Sequence, residues 1–140
     1  MPFVSITRLR IRSWWYVPPF LVYALRSAWQ AKTAPANLAV SLLSDRRRIF
    51  WTRTIWNDEA AMRSFILSGA HREVMPRLLE WCDEASVVHW TQDSREPPSW
   101  AEALRRTHQD GRRSKVNHPS DAQRRFEYPE TRGGTELKFK

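Results

Sequence analysis

His71 is the residue whose type and position suit it best for chemistry. It follows Gly69, where one helix is expected to end and the next to begin, so its imidazole can turn into a cleft between helices and sheet. There it can act as a general acid or base near neutral pH, or as an axial ligand to haem iron. The alternative is a half-exposed histidine on a helix terminus. Its neighbour Arg72 can hold a carboxylate such as a haem propionate, or stand solvated. The chain has 8 tryptophans in 140 residues, and Trp51, Trp56, Trp81 and Trp90 all fall in one stretch. Indole N–H donors around an apolar pocket suit a flat aromatic ligand or a porphyrin. The same rings can instead fill a core and a subunit seam.

Other residues read as less chemical. His89, between Val88 and Trp90, reads as a satisfied core histidine, and Cys82 as an inert buried thiol. Arg46-Arg47-Arg48 makes a charged turn, while Arg112-Arg113-Ser114-Lys115 can grip an acidic ligand or a partner subunit. His108 and His118 sit in a polar tail and suggest no chemistry.

Several function classes are excluded. The 4 glycines, at 69, 111, 133 and 134, cannot build a GxGxxG or Walker loop. No HExxH, paired histidines at helical spacing, or GxSxG elbow occurs, so neither a divalent metal site nor a serine nucleophile is nominated. A single cysteine rules out an intramolecular disulfide. The net charge is +8, from 23 Lys+Arg and 15 Asp+Glu. It is spread evenly, and the aromatics alternate with apolar residues rather than with these cations. Nucleic acid is therefore not the expected partner. Residues 14–25 are apolar, but Pro18-Pro19 and Arg26 interrupt and close the run short of a membrane span. A cytoplasmic protein with no membrane contact is expected.

The elements that must position these residues follow from periodicity. Residues 2–9 read as a strand. Pro18-Pro19 opens a helix over 17–32, in which Leu21, Leu25, Ala28 and Trp29 recur at helical spacing. Residues 38–43 and 48–55 pair as a hairpin around 44–47. Asn57 or Asp58 caps a second helix, where Ala61, Phe65 and Ile66 share a face and Gly69 suits a left-handed cap. A helix over 71–82 contains Pro76, and 86–91 reads as a fourth strand. The order is β-α-β-β-α-β on a four-stranded antiparallel sheet, a ferredoxin-like α+β fold. Period-2 geometry puts Trp51 and Ile55 on one face of the third strand and Trp56 on the other. Residues 1–92 form this domain. Residues 93–140 form a C-terminal extension, with a short helix over 99–108, a possible edge strand at 124–128 and a frayed end over 129–140. Strands apolar on both faces need cover on both. Two helices cover only one, so a homodimer through the other is expected.

Trp56-Asn57-Asp58-Glu59-Ala60-Ala61 through Ser68-Gly69-Ala70-His71 resembles the dimeric α+β barrel proteins, among them the antibiotic biosynthesis monooxygenases. These place a tryptophan at the end of the third strand, an acidic helix start after it, and Ser-x-His at the helix end. Here Gly69-Ala70 makes that spacing one residue longer, and a histidine common on the helix is replaced by Phe65. The Gly-Ala-His run, Glu80-Trp81 and Trp90 resemble spheroidene-monooxygenase-like proteins and their uncharacterised relatives. The resemblance implies a dimeric barrel and a small oxidoreductase acting on an aromatic or polyene substrate in the helix–sheet cleft. His71 would shuttle protons, with Trp56, Trp51, Arg72 and Phe65 against the substrate. It also leaves open two other readings: a haem protein with His71 as axial ligand, and a non-catalytic dimeric module binding a small hydrophobic or aromatic ligand. A cofactor-free mechanism requires a substrate that donates an electron to oxygen once deprotonated.

Overall fold

The computed structural model describes residues 1–130 and 134–140. Strand β1 (Phe3–Ile11) leads through a 3-10 turn at Trp14–Tyr16 into helix α1 (Val17–Thr33). The hairpin β2 (Asn37–Ser44) and β3 (Ile49–Trp56) follows, turned by Asp45, whose carboxylate accepts from the Arg47 and Ile49 amides. Helices α2 (Glu59–Ile66) and α3 (Gly69–Trp81) come next, then β4 (Cys82–Thr91). These elements give the expected β-α-β-β-α-β frame, with α2 and α3 as the second helical connection. Asp58 caps α2 by accepting from the Ala61 amide, and Pro18-Pro19 occupy the first turn of α1, where no N–H partner is needed. Pro76 stands inside α3, seven residues past its start.

The sheet has six strands, not four, in the order β5-β4-β1-β3-β2-β6, and every pairing is antiparallel. The two added strands come from the C-terminal extension. The two-residue β5 (Arg112–Arg113) flanks β4, and β6 (Thr135–Lys138) flanks β2. Chain expected to fray is thus held at 135–138 by backbone pairing; residues 131–133 of that span lie outside the described residues. The edge strand expected at 124–128 is instead the end of helix α5 (Asp121–Arg125) and a left-handed Phe126. A buried Gln123 then takes over part of the edge pairing, its side-chain amide exchanging two hydrogen bonds with the Ala85 backbone.

The two sheet faces have different covers. On one, α1, α2 and α3 pack over Phe3, Val40 and Trp56 at one end and Leu9, Ile11 and Cys82 at the other. On the opposite face Val4, Ile6, Ile55, Trp51 and Val88 meet helix α4 (Trp100–Asp110) through Trp100, Ala103 and Leu104. This is the face for which the strand pattern called for a second subunit. It is covered from within the chain. Polar latches reinforce the cover: Arg53, buried in β3, donates to the Pro98 carbonyl at 2.8 Å and pairs with Glu136 at 2.8 Å. Arg8 pairs with Glu84 at 2.6 Å and lies 3.8 Å from the centre of the Tyr128 ring.

Candidate active site

Between the three helices and the sheet lies a cavity of about 440 Å³, a size usual for small-molecule sites. Its floor is the outward-alternating set of strand residues. In the β1–β3 register Ser5 stands opposite Thr54 and Thr7 opposite Thr52, which makes a two-by-two block of hydroxyls. Leu9, Val40, Leu42, Ala85 and Val87 extend the floor as apolar surface, and Phe20, Ala24 and Ala28 of α1 form part of the roof. Ser27 of α1 brings a buried hydroxyl without a protein partner to the same wall. Such a group is satisfied when water or a ligand reaches it.

His71 lines this cavity. Its Nδ1 lies 3.3 Å from the Ile66 carbonyl oxygen, which can only accept, so Nδ1 carries the proton and Nε2 keeps its lone pair. Burial holds the imidazole below its ordinary pKa, against the smaller opposing pull of that carbonyl. At neutral pH the ring is a neutral base.

Gln30, from α1, fixes where the ring sits. Its Nε2 donates to the Ser68 carbonyl at 2.9 Å and to the Phe65 carbonyl at 3.3 Å, and its Oε1 accepts from the His71 amide at 3.3 Å. The close approach requires glycine beside it. Gly69 has φ +57°, and a Cβ there would lie 2.8 Å from Gln30 Oε1.

The structure sorts the residues singled out by sequence. Phe65 lines the cavity and packs against His71 with ring centroids 4.9 Å apart and the planes tilted by 56°. Trp56 does not reach the cavity surface. It is buried behind Phe65, 5.0 Å between centroids, and donates from Nε1 to the Thr54 hydroxyl at 2.9 Å. That bond occupies a lone pair of Thr54 and leaves its own O–H to donate elsewhere. Trp51 is a correction: it lies on the other face of the sheet, against Trp100 and Arg8, because β3 alternates as its period demands. Trp90 shares that face, beneath Arg106, and Trp81 stands between Tyr16 and Tyr23, so the four indoles form no common pocket. Arg72 is exposed and does not line the cavity, one residue off the helical face that carries His71.

Other residues at the cavity were read differently or not at all. His89, read as core, lines the cavity, and burial followed by the charge of Arg112 lowers its pKa. Arg112 and Lys115 are exposed at the cavity rim, where they can meet an acidic ligand group. The hydroxyl block and Gln30 were not anticipated. The repeated Ser-x-Thr and Thr-x-Thr at 5–7 and 52–54 was the available signal. Cys82 is fully buried and its thiol is pushed up to about 12 by desolvation, which leaves it unreactive. Among the described residues no three His, Cys, Asp or Glu side chains group as metal ligands.

The fold is similar to several solved structures. One is a cofactor-independent oxygenase from Streptomyces nogalater, at 15% identity and TM-score 0.55, covering 66% of this chain and 94% of that one. Another is a putative antibiotic biosynthesis monooxygenase from Nitrosomonas europaea, at 12% identity and TM-score 0.56, covering 66% and 90%. A conserved protein from Methanosarcina mazei Go1 matches at 14% identity and TM-score 0.59, covering 66% and 94%. At such identities the likeness establishes a shared ferredoxin-like α+β fold. No curated protein matches the sequence. A family described as "Domain of unknown function (DUF3291)" matches residues 26–113, from within α1 to the end of β5, and the chain belongs to that family.

Proposed function

We propose that this protein is a small oxygenase that uses His71 as its base on a hydroxylated aromatic substrate bound between the helices and the sheet. The observation that carries the reading is a neutral imidazole, its Nδ1 committed to the Ile66 carbonyl, on a residue that lines an apolar cavity. The floor hydroxyls and the rim cations Arg112 and Lys115 favour a ring bearing oxygen substituents over an unfunctionalised polyene. In this reading His71 Nε2 takes the proton of a phenolic O–H. The resulting anion, rich enough to reduce O₂, forms a C–O bond to it as a hydroperoxide whose proton returns from His71. Loss of water then leaves a quinone carbonyl, so one oxygen atom enters the product and the other departs as water. The electrons come from the substrate. The expected experiment is oxygen uptake with a panel of hydroxynaphthalenes. Wild type should consume O₂ in proportion to quinone formed, and His71→Ala should not.

A second reading rests on the same imidazole. A histidine whose Nδ1–H is held by a carbonyl is oriented as metal-bound histidines are, and Arg112 and Lys115 could meet two propionates. His71 would hold the iron through its free ring nitrogen, and haem would supply redox chemistry there. Titrating the protein with haemin should then give a Soret band that His71→Ala lacks; the spectrum of free haemin in both removes this reading. Should neither activity nor haem binding be found, the cavity serves a non-catalytic ligand-binding module.

We also infer that the chain works without a second copy across its sheet. The face that a dimeric barrel would use already packs α4 and Tyr128. Sedimentation equilibrium showing a stable dimer at micromolar concentration would reverse this. Residues 1–92 remain, in this reading, the ferredoxin-like unit, and 93–140 an extension that caps it.

A further inference from the structure

Helix α1 is apolar on two opposite sides. Val17, Phe20, Ala24, Ala28 and Ala31 turn together toward sheet and cavity. At 100° per residue, Pro18, Val22, Leu25 and Trp29 gather on the far side. That far side is open to solvent: Val22 is 56% exposed, Leu25 47% and Trp29 61%, and the preceding Trp14 and Trp15 are 60% and 84% exposed. Scattered apolar residues on a surface need no explanation, but a continuous strip along a helix of about 25 Å does.

Charge chooses what covers it. Residues 1–44 contain no Asp or Glu, and of their 5 Arg and Lys, Arg8, Arg10 and Arg12 pair with Glu84, Asp83 and Glu80, which leaves Arg26 and Lys32 to this surface. Cations lie over the two tryptophans that flank this side, Arg48 at 5.7 Å from the Trp14 ring and Lys32 at 5.0 Å from Trp29. Arg26 reaches Glu73 only at 3.8 Å, with both side chains more than half exposed, so its charge is poorly neutralised. A two-fold contact between copies would bring this patch against itself and set like charges together. An anionic lipid surface complements it, with the tryptophans at headgroup depth and the cations beside the phosphates.

We propose that the outer face of α1, entered through Trp14 and Trp15, docks this protein onto an anionic lipid bilayer. The expectation of no membrane contact rested on the lack of a spanning segment, and among the described residues no helix is long and apolar enough to cross. A helix lying in the interface needs no span. The docking does not depend on the activity proposed above.

The test is flotation of the full chain with vesicles of phosphatidylcholine alone and of phosphatidylcholine mixed with phosphatidylglycerol. Binding to the mixed vesicles should be on the order of tenfold stronger or more, weaken with salt, and fall to background in the double variant Trp15→Ser, Trp29→Ser. These side chains are exposed, so its circular dichroism should match wild type; if it does not, Lys32→Glu, expected to weaken the same binding, carries the test. Absence of binding to either vesicle, or binding that both variants retain, overturns the proposal. So does a wild-type dimer that the tryptophan variant converts to monomer, since a second copy would then occupy the face.

Discussion

The two faces of the sheet are made of the same strands and have opposite characters. On the α4 face the side chains are large and interlocked: Trp51 is 1% exposed, Arg8 and Arg53 are buried, and each arginine is held by a carboxylate and by residues beyond position 93. On the helix face the floor residues are small, Ser5, Thr7, Thr52 and Thr54, and the alanines of α1 stand above them. One face is filled and the other is left open. Residue size at alternating positions produces the difference. A strand that presents tryptophan and arginine on one side and threonine on the other builds a core and a cavity at once.

The largest effect expected on the filled face comes from Trp51→Ala, which removes a fully buried ring and should cost about 3–5 kcal/mol in urea denaturation. Turnover per folded molecule should not change, because Trp51 is separated from the cavity by the sheet. A loss of turnover beyond the loss of folded protein would break the comparison. Glu84→Gln removes the charge partner of Arg8 in a buried pair and should destabilise by up to about 3–5 kcal/mol, again without affecting ligand binding.

On the open side, Gln30→Ala releases the turn that holds His71. Lost hydrogen bonds at about 1 kcal/mol each should lower stability modestly, while kcat falls and the pH profile shifts as the ring is freed. An unchanged pH profile would show that Gln30 is structural only.

The smallest effect is on stability against pH. Burial lowers the pKa of His71 below 6.5, so the unfolded chain binds the proton more tightly. Stability from this group is complete above the unfolded value and is lost as pH falls through 6.5 toward the folded pKa. Replacing His71 with Gln should flatten that part of the curve, measured by urea midpoints from pH 7.5 downward to about 5. His89 is lowered in the same sense, and part of the slope should remain.

Much of the frame was legible because its elements have strong periods. The alternation in 49–56 separates Trp51 from Trp56, and Asp58, Gly69 and Pro18-Pro19 mark helix ends by backbone chemistry. The edge strands were not legible. The Thr135–Lys138 segment is exposed along its length and carries no alternation, so only its pairing with β2 makes it a strand. The place of α4 was not legible for the same cause: it has its apolar anchors, but nothing local in 99–108 says which sheet face they cover. At the site, His71 was legible from its place beside Gly69. Trp51 was set against the substrate with the other indoles, although the alternation of 49–56 already put it on the face opposite Trp56. The hydroxyl block was passed over because serine and threonine inside strands look like ordinary polar positions until two strands are set in register.

We propose His71 Nε2 as the base of an oxygenase site on the open face. Its most direct test is the rate of oxygen uptake with a reactive hydroxynaphthalene, measured for wild type and His71→Gln across pH. The wild-type rate should fall as the imidazole protonates, below its ordinary pKa, and the variant rate should be lower by about 10²–10⁴-fold without that titration. Equal rates, or the same pH profile in both proteins, would contradict it.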